Sequence, residues 1–325
     1  MLKKVLIVYR KKQKQFNSIE NVFDSLILFL NGIKFEMPWA SEGLVGRLKN
    51  IIELYRYAQE LIHITGHDHY LLLFPFKRSI LTIHDIEALK RKKGIMYWVF
   101  KKLWFDIPIS NASEVTTISE FTKEELLSLK AYSTPITVIP NPLTFPLIGA
   151  PSVFNSACPR ILHLGTKVNK NLSALLNALK GINCELIIIG QPDSELENEI
   201  CNVNFKYQFL TGLSNRQVIQ EYVKCDFVSF VSCYEGFGLP IIEAQAVGRP
   251  VITSNVTSMP EVAGAGALLV NPYSVEEIRL GIIALIRDSE LRNSLLAKGT
   301  ENVSRFEPKV IAAQYNKLYK KVSRY

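Results

Sequence analysis

The chain has 325 residues, room for two domains at roughly 100–200 residues each. Hydrophobic residues make up 48 % and charged residues 21 %, which excludes a disordered chain, and no run approaches the ~18 consecutive apolar residues of a membrane span. The formal net charge of +8 is uneven: residues 1–150 hold 20 Lys and Arg against 14 Asp and Glu (+6), the remainder 18 against 16 (+2), so the first half points to an anionic partner such as phosphates, an anionic membrane surface or nucleic acid.

In chain order, the opening MLKKVLIVYRKK has a basic flank, but its apolar run is shorter than the ~7–15 residues of a signal h-region and reads as a first β-strand. A helix begins near Asn17, with Glu20 three residues on as a capping-box partner. LIHIT (61–65), SILTIH (79–84), EVTTIS (114–119) and ITVIP (136–140) read as further strands, their apolar runs continuous as in parallel strands buried on both faces. Ser119 suits an N-cap ahead of FTKEELLSL. Prolines 140, 142, 146, 151 and 159 then punctuate an aperiodic linker. The plan repeats with strands at 160–165, 184–190, 205–210, 226–232 and 249–254, and helices at 170–180, 214–224, 240–247, 274–287 and 289–303. The expected fold is α/β: two Rossmann-like domains with parallel sheets facing across a cleft, where strand carboxyl ends bind ligands. Five cysteines, an odd number without C-x-x-C, disfavour a disulfide framework or a zinc site and suit a reducing cytoplasm.

The most informative segment is SCYEGFGLPIIEAQAVGRPVITS (232–254). An apolar strand passes through a glycine-containing turn into a helix with Pro240 in its first turn, where a missing N–H costs little. Amides of Gly236, Phe237, Gly238 and Leu239 would gather at that helix N-terminus, an anion site suited to phosphate. Glu235 lies just before the turn and Glu243 about one turn into the helix, so both can face one ligand. Helix-dipole stabilisation is the plain structural reading of Glu235.

This segment resembles the E-x7-E signature of retaining nucleotide-sugar glycosyltransferases of the GT-B fold, family 4. EGFGLPIIEA is followed by GRPV and by SMPEVAG (258–264). ILHLGTKVNKNLSALLNAL (161–179) and LTGLSNRQVIQEYVKCDF (210–227) resemble the donor domain's approach to the signature. HITGHDHYLLL (63–73), TIHD (82–85), TTISEFTKEEL (116–126) and VIPNP (138–142) resemble a bacterial branch that builds surface polysaccharides. The resemblance implies that Glu235 contacts the donor sugar, Glu243 holds the nucleotide ribose, and the amides of Phe237, Gly238 and Leu239 bind sugar and diphosphate. It implies that Lys170 neutralises the diphosphate beside Gly165 and Thr166. Many members have an arginine where Thr166 stands; either Lys167 substitutes for it or that charge is absent. The family's paired-glycine loop after the first strand is replaced by KQKQFNSIENVF (12–23), where Ser18 offers a hydroxyl to phosphate or simply caps a helix. The resemblance also sets His84 beside the transferred sugar, oriented by Asp85.

His63, His67 and His69 form an H-x3-H-x-H cluster, but His63 lies inside an apolar strand, Gly66 interrupts any helix, and no carboxylate completes a zinc-protease motif. No metal is expected there, and His67 or His69 is a candidate contact to acceptor or donor. The expected domains are 1–148 (acceptor), 149–304 (nucleotide-sugar donor) and a helix in 305–325 returning onto the first domain. In that helix Val310, Ile311, Ala313, Tyr315, Leu318 and Val322 supply the apolar side. ALKRKKGIMYWVFKKLWF (88–105) has the composition of an interfacial helix, with Lys90, Arg91, Lys92, Lys93, Lys101 and Lys102 beside aromatic and aliphatic residues. The alternative is that its aromatics face the core.

The expected reaction is metal-free retaining transfer of a sugar from a nucleotide-diphospho-sugar to a hydroxyl of a glycan. The acceptor would be linked to a polyprenyl-diphosphate carrier, in O-antigen, capsule or exopolysaccharide synthesis. No cofactor is expected. The location implied is cytoplasmic, peripheral on the inner face of the plasma membrane. A GT-B sugar-nucleotide epimerase and a non-catalytic sugar-nucleotide-binding subunit are the alternatives. Nucleic-acid binding is disfavoured, since the aromatic-plus-glycine motifs of RNA-binding modules are absent.

Overall fold

β1 (Val5–Tyr9) is buried along all five residues, as a strand covered on both faces must be. The computed structural model describes residues 5–11, 18–150, 153–201 and 203–324. The chain falls into two units, Met1–Thr144 with Glu307–Tyr325, and Phe145–Phe306.

In unit 1, β1 is followed by α1 (Ser18–Leu26), β2 (Gly32–Glu36), α2 (Gly43–Tyr55), β3 (Leu61–Ile64) and β4 (Arg78–Ile83). Next come α3 (Glu87–Lys90), α4 (Gly94–Lys101), a π-helical turn (Lys102–Asp106) and α5 (Ile107–Asn111). β5 (Glu114–Thr117), α6 (Glu120–Leu129) and β6 (Ile136–Val138) complete its first part. The six strands are all parallel, in the order β2-β1-β3-β4-β5-β6. Ser119 caps α6 by accepting from Thr122 N–H at 3.1 Å.

Unit 2 repeats the architecture: β7 (Arg160–Leu164), α7 (Leu172–Leu179), β8 (Glu185–Ile189), α8 (Ser194–Ile200), β9 (Lys206–Leu210), α9 (Asn215–Lys224) and β10 (Phe227–Phe230). α10 (Leu239–Val247), β11 (Val251–Ser254), α11 (Met259–Ala263), β12 (Leu268–Val270), α12 (Val275–Arg287) and α13 (Ser289–Val303) follow. Its sheet is parallel in the order β12-β11-β10-β7-β8-β9. Leu175, Leu186, Ile188, Phe227, Ile252 and Ile282 form the centre of its core. The fold class is α/β with two Rossmann-like domains, the GT-B arrangement of elements.

α14 (Pro308–Val322) belongs to unit 1. Its buried side is Ile311, Ala312, Tyr315, Leu318, Tyr319 and Val322. Val310 and Ala313, expected on that side, are exposed, because the helix is rotated to bring Tyr315 and Tyr319 onto the sheet. The Tyr319 hydroxyl meets His63 Nδ1 at 2.7 Å, and His63 Nε2 meets Thr82 Oγ1 at 2.7 Å. Lys321 closes the far end on the buried Glu114 at 2.7 Å.

The segment 88–105 is not one helix. A loop separates α3 from α4, and the π-turn follows. Phe105 is buried, and Tyr97, Phe100 and Trp104 pack partly on the core, whereas Ile95, Met96, Trp98, Val99 and Leu103 are exposed. Lys101, expected among the surface cations, is instead buried and ion-paired with Asp106 at 2.9 Å, and Tyr132 also donates to that carboxylate at 2.9 Å. No helix among the described residues is long and apolar enough to cross a membrane.

Candidate active site

In unit 2 the carboxyl end of β7 turns at Gly165, with φ of +93°, a region that glycine occupies at no steric cost. A Cβ at Gly165 would stand 2.9 Å from Lys170 Cγ, so the missing side chain lets the lysine stem lie across the turn. Lys170 ends a short 3-10 turn (Val168–Lys170) ahead of α7. Its ammonium lies 2.7 Å from Glu235 Oε1 and 4.9 Å from the Phe230 ring centroid. Asn169 zips the two loops together. Its carbonyl accepts from Cys233 N–H at 2.8 Å, and its amide donates to Tyr234 O at 3.0 Å. Asn171, at φ of +60°, donates to Val231 O and Pro272 O at 3.0 and 2.7 Å.

The signature loop runs into α10 through Gly238, with φ of +104°, and Pro240 stands in the first turn. The Ser258 hydroxyl lies 2.9 Å from the carbonyl oxygens of both Glu235 and Phe237 and pins the loop from behind. Phe237 is buried against Phe306, so that side chain anchors the loop. Glu243, on α10, accepts a 2.7 Å hydrogen bond from the buried Tyr222 hydroxyl of α9. Thr166 donates to Gln191 O at 2.6 Å and so ties the β7 turn to the end of β8. His163, one residue from the end of β7, is fully buried; burial, and secondarily the Lys170 charge, lowers its pKa to about 4. A cation, a carboxylate and the start of a helix are thus assembled at the carboxyl ends of the central strands β7 and β10, a set able to hold a diphosphate and a sugar hydroxyl.

In unit 1, His84 follows β4 and is buried. Its Nε2–H donates to Thr65 O at 2.7 Å, which fixes the tautomer and leaves Nδ1 unprotonated. Burial, and then the nearby His67, lowers the His84 pKa to about 4. Asp85 does not supply the orienting bond seen here; it accepts from Glu87 N–H at 2.9 Å and starts α3. His67 is exposed, with its ring centroid 5.9 Å from that of His84. His69 is buried and donates from Nδ1 to Trp104 O at 2.8 Å. Asp68 between them accepts from Ser41 at 2.8 Å, and burial raises its pKa. Glu20, expected in a capping box, is paired with Arg10 at the end of β1. Asn17 and the side chain of Ser18 lie outside the described residues.

Arg10, Asn169, Tyr222 and Ser258 were not singled out from the sequence. Only Ser258 carried a local signal, as the first residue of SMPEVAG.

Residues 152–302 match the family described as glycosyl transferases group 1. An uncharacterized glycosyltransferase of Methanocaldococcus jannaschii is 26 % identical over 294 residues, 84 % of this chain and 81 % of that protein. The O-antigen chain mannosyltransferase B of Escherichia coli is 25 % identical over 279 residues, 78 % of this chain and 72 % of its own. Among solved structures, Anabaena HepE in complex with UDP and glucose superposes with a TM-score of 0.80 over 98 % of this chain and 100 % of that one, at 16 % identity. Residues 152–302 in unit 2 are therefore a region of the group 1 glycosyl transferase type, and the chain has the GT-B fold.

Proposed function

We propose that the protein transfers a sugar, with retention of configuration and without a metal ion, from a nucleotide-diphospho-sugar to a hydroxyl of a lipid-carrier-linked glycan in bacterial surface-polysaccharide synthesis. The observation that supports it is the Lys170–Glu235 pair immediately ahead of α10. An incoming diphosphate offers Lys170 more negative charge than one carboxylate does. Lys170 then neutralises the leaving group, and Glu235 is released to accept from a sugar hydroxyl. The amides at 236–239 add hydrogen bonds as charge develops on the departing phosphate, each worth about 2.7–4 kcal/mol in such a role. Glu243, held by Tyr222, takes the ribose hydroxyls. His84, neutral at physiological pH, hydrogen-bonds the transferred sugar or the acceptor.

The relatives support a polysaccharide role by their names, and the UDP complexes of the HepE structures support a nucleotide-sugar donor. Unit 1 would receive the acceptor while seated on the inner face of the membrane through residues 88–105. The test is incubation with candidate nucleotide-sugars and a carrier-linked acceptor, in EDTA, with release of nucleoside diphosphate and the product's anomeric configuration as readouts. Release without any acceptor favours an epimerase-type enzyme. An inverted product or a need for Mg²⁺ removes the corresponding part of the proposal.

A further inference from the structure

α2 carries two apolar stripes where one suffices. Ile51 and Leu54 face the core. Leu44, Leu48, Ile52 and Tyr55, spaced four, four and three residues apart, form a second stripe on one helical face with Val45 beside it. All are exposed, Leu44 by 76 % and Ile52 by 66 %. α4 repeats the anomaly, with Ile95 exposed by 78 % and Trp98 by 67 %. Scattered apolar residues need no explanation, but two solvent-facing stripes of large side chains mark an interaction surface.

α2 reaches the π-turn that continues α4. The Arg47 guanidinium of α2 stacks over the Trp104 ring of the π-turn, 4.7 Å from its centroid. The Trp104 Nε1–H donates to His67 O at 3.3 Å, and the Trp104 carbonyl accepts from His69 at 2.8 Å. The joint between the apolar faces is therefore also the clasp of the histidine loop.

The charges beside the stripes identify the occupant. Lys49 lies on α2, Arg56 caps its carboxyl end, and Lys92, Lys93 and Lys102 lie about α4, all exposed. Among nearby acids, Glu53 pairs with Arg56 and Glu87 with Arg91, and Glu42 precedes α2. Lysine is depleted from the core of protein–protein interfaces, whereas lysine interleaved with Trp, Tyr and Leu is the composition of an interfacial membrane surface. We propose that the outer faces of α2 and α4, joined at Arg47 and Trp104, form one footprint that seats unit 1 on an anionic bilayer beside the His67–His84 loop. This rests on reading residues 88–105 as membrane-facing and extends that reading to α2, which the sequence did not flag.

The test is sedimentation of the full chain with phosphatidylcholine vesicles, with and without phosphatidylglycerol, across a salt series. Two surface variants are compared with wild type, Leu48→Glu with Ile52→Glu on α2 and Ile95→Glu with Trp98→Glu on α4. Wild type is expected to pellet only with the anionic vesicles and less as salt rises. Each variant should lose about tenfold or more of its vesicle affinity, since it removes two apolar anchors and adds two negative charges. Melting temperature and UDP binding should hold. If the glutamates lower the melting temperature, Leu44→Ser with Leu48→Ser on α2 replaces them, and the same loss is expected. An α2 variant that binds like wild type while the α4 variant fails overturns the two-helix footprint and spares the reading of 88–105. Wild type indifferent to lipid charge and salt overturns both. An α2 variant that abolishes a concentration-dependent dimer while keeping its vesicle binding assigns the face to a second copy of the chain and overturns the footprint. UDP binding is independent of all these outcomes, so a failure of the donor site is read separately.

Discussion

The Lys170 ammonium and the Glu235 carboxylate meet at 2.7 Å although 65 positions separate them in the chain. Both side chains are mostly shielded from solvent, so without ligand each is the other's main counter-charge. In the proposed donor complex a diphosphate would compete with Glu235 for the same ammonium. Removing the carboxylate charge should therefore help nucleotide binding even as it removes chemistry. With UDP, the nucleotide of the HepE complexes, as the probe, Glu235→Gln is expected to bind at least as tightly as wild type in calorimetry and to lose transfer. Lys170→Ala is expected to weaken UDP by roughly ten- to a hundredfold, the worth of one or two charge-assisted hydrogen bonds, with uridine little affected. Parallel loss of UDP and uridine binding in Lys170→Ala would show that the lysine only shapes the fold.

The Tyr222 hydroxyl, buried on α9, donates to one oxygen of Glu243 and so fixes the orientation of the carboxylate proposed to hold the ribose. Tyr222→Phe keeps the ring that packs near Phe145, at a centroid distance of 5.9 Å, and removes only the bond. We expect UDP affinity to fall several-fold, about the ~1 kcal/mol of one hydrogen bond. The preference for UDP over its 2′,3′-dideoxy analogue should shrink with it. A variant that weakens both nucleotides equally would place the effect outside the ribose contact.

α14 is fastened by a polar chain across a sheet: Tyr319 hydroxyl, His63, Thr82 and Thr116, each step 2.7 Å. Tyr319→Phe leaves His63 Nδ1 without this partner in a fully buried site, at a cost of about 1–3 kcal/mol. Deleting residues 307–325 removes the apolar side of α14 as well. The truncated chain should lose the cooperative melting of unit 1, read by hydrogen exchange at β3 and β4. Protection there equal to wild type would refute the role given to α14.

The central strands of both sheets were legible because they are continuous apolar runs. β2 and β12 were not. Each is an end strand of its sheet, and GIKFE in β2 has no buried residue among its five, so no apolar run announces it. Glu235, Glu243 and Lys170 were legible because a local motif carries them. Tyr222, Asn169 and Ser258 were not, because their partners lie 21 to 66 positions away and are often backbone atoms, which leave no trace in residue type. The exposed stripe of α2 escaped for a different reason. Its apolar residues look like core until Ile51 and Leu54 are seen to occupy the inner face.

The buried histidines of unit 1 give the protein an acid-sensitive fold. Burial first, and neighbouring histidines second, lower the pKa of His63 and His84 from 6.5 to about 3 and about 4. Burial likewise lowers His69 to about 3. A lowered folded-state pKa means the unfolded chain takes up a proton near pH 6.5 while the folded chain stays neutral. Stability from these groups is therefore complete above about pH 6.5 and is lost as pH falls, down to about 4 for His84 and about 3 for His63 and His69. Within its range each histidine contributes a slope of about 1.4 kcal/mol per pH unit. Asp68, whose pKa burial raises, acts in the opposite sense in the carboxylate range and offsets part of the loss. The melting temperature should drop steadily from pH 6.5 to 4.5. His63→Gln removes one titrating group and should flatten that slope while lowering stability at pH 7, because the Tyr319 and Thr82 contacts are disturbed. A melting temperature independent of pH across this range, or a slope unchanged in His63→Gln, would show that these imidazoles bind protons equally in the folded and unfolded chain.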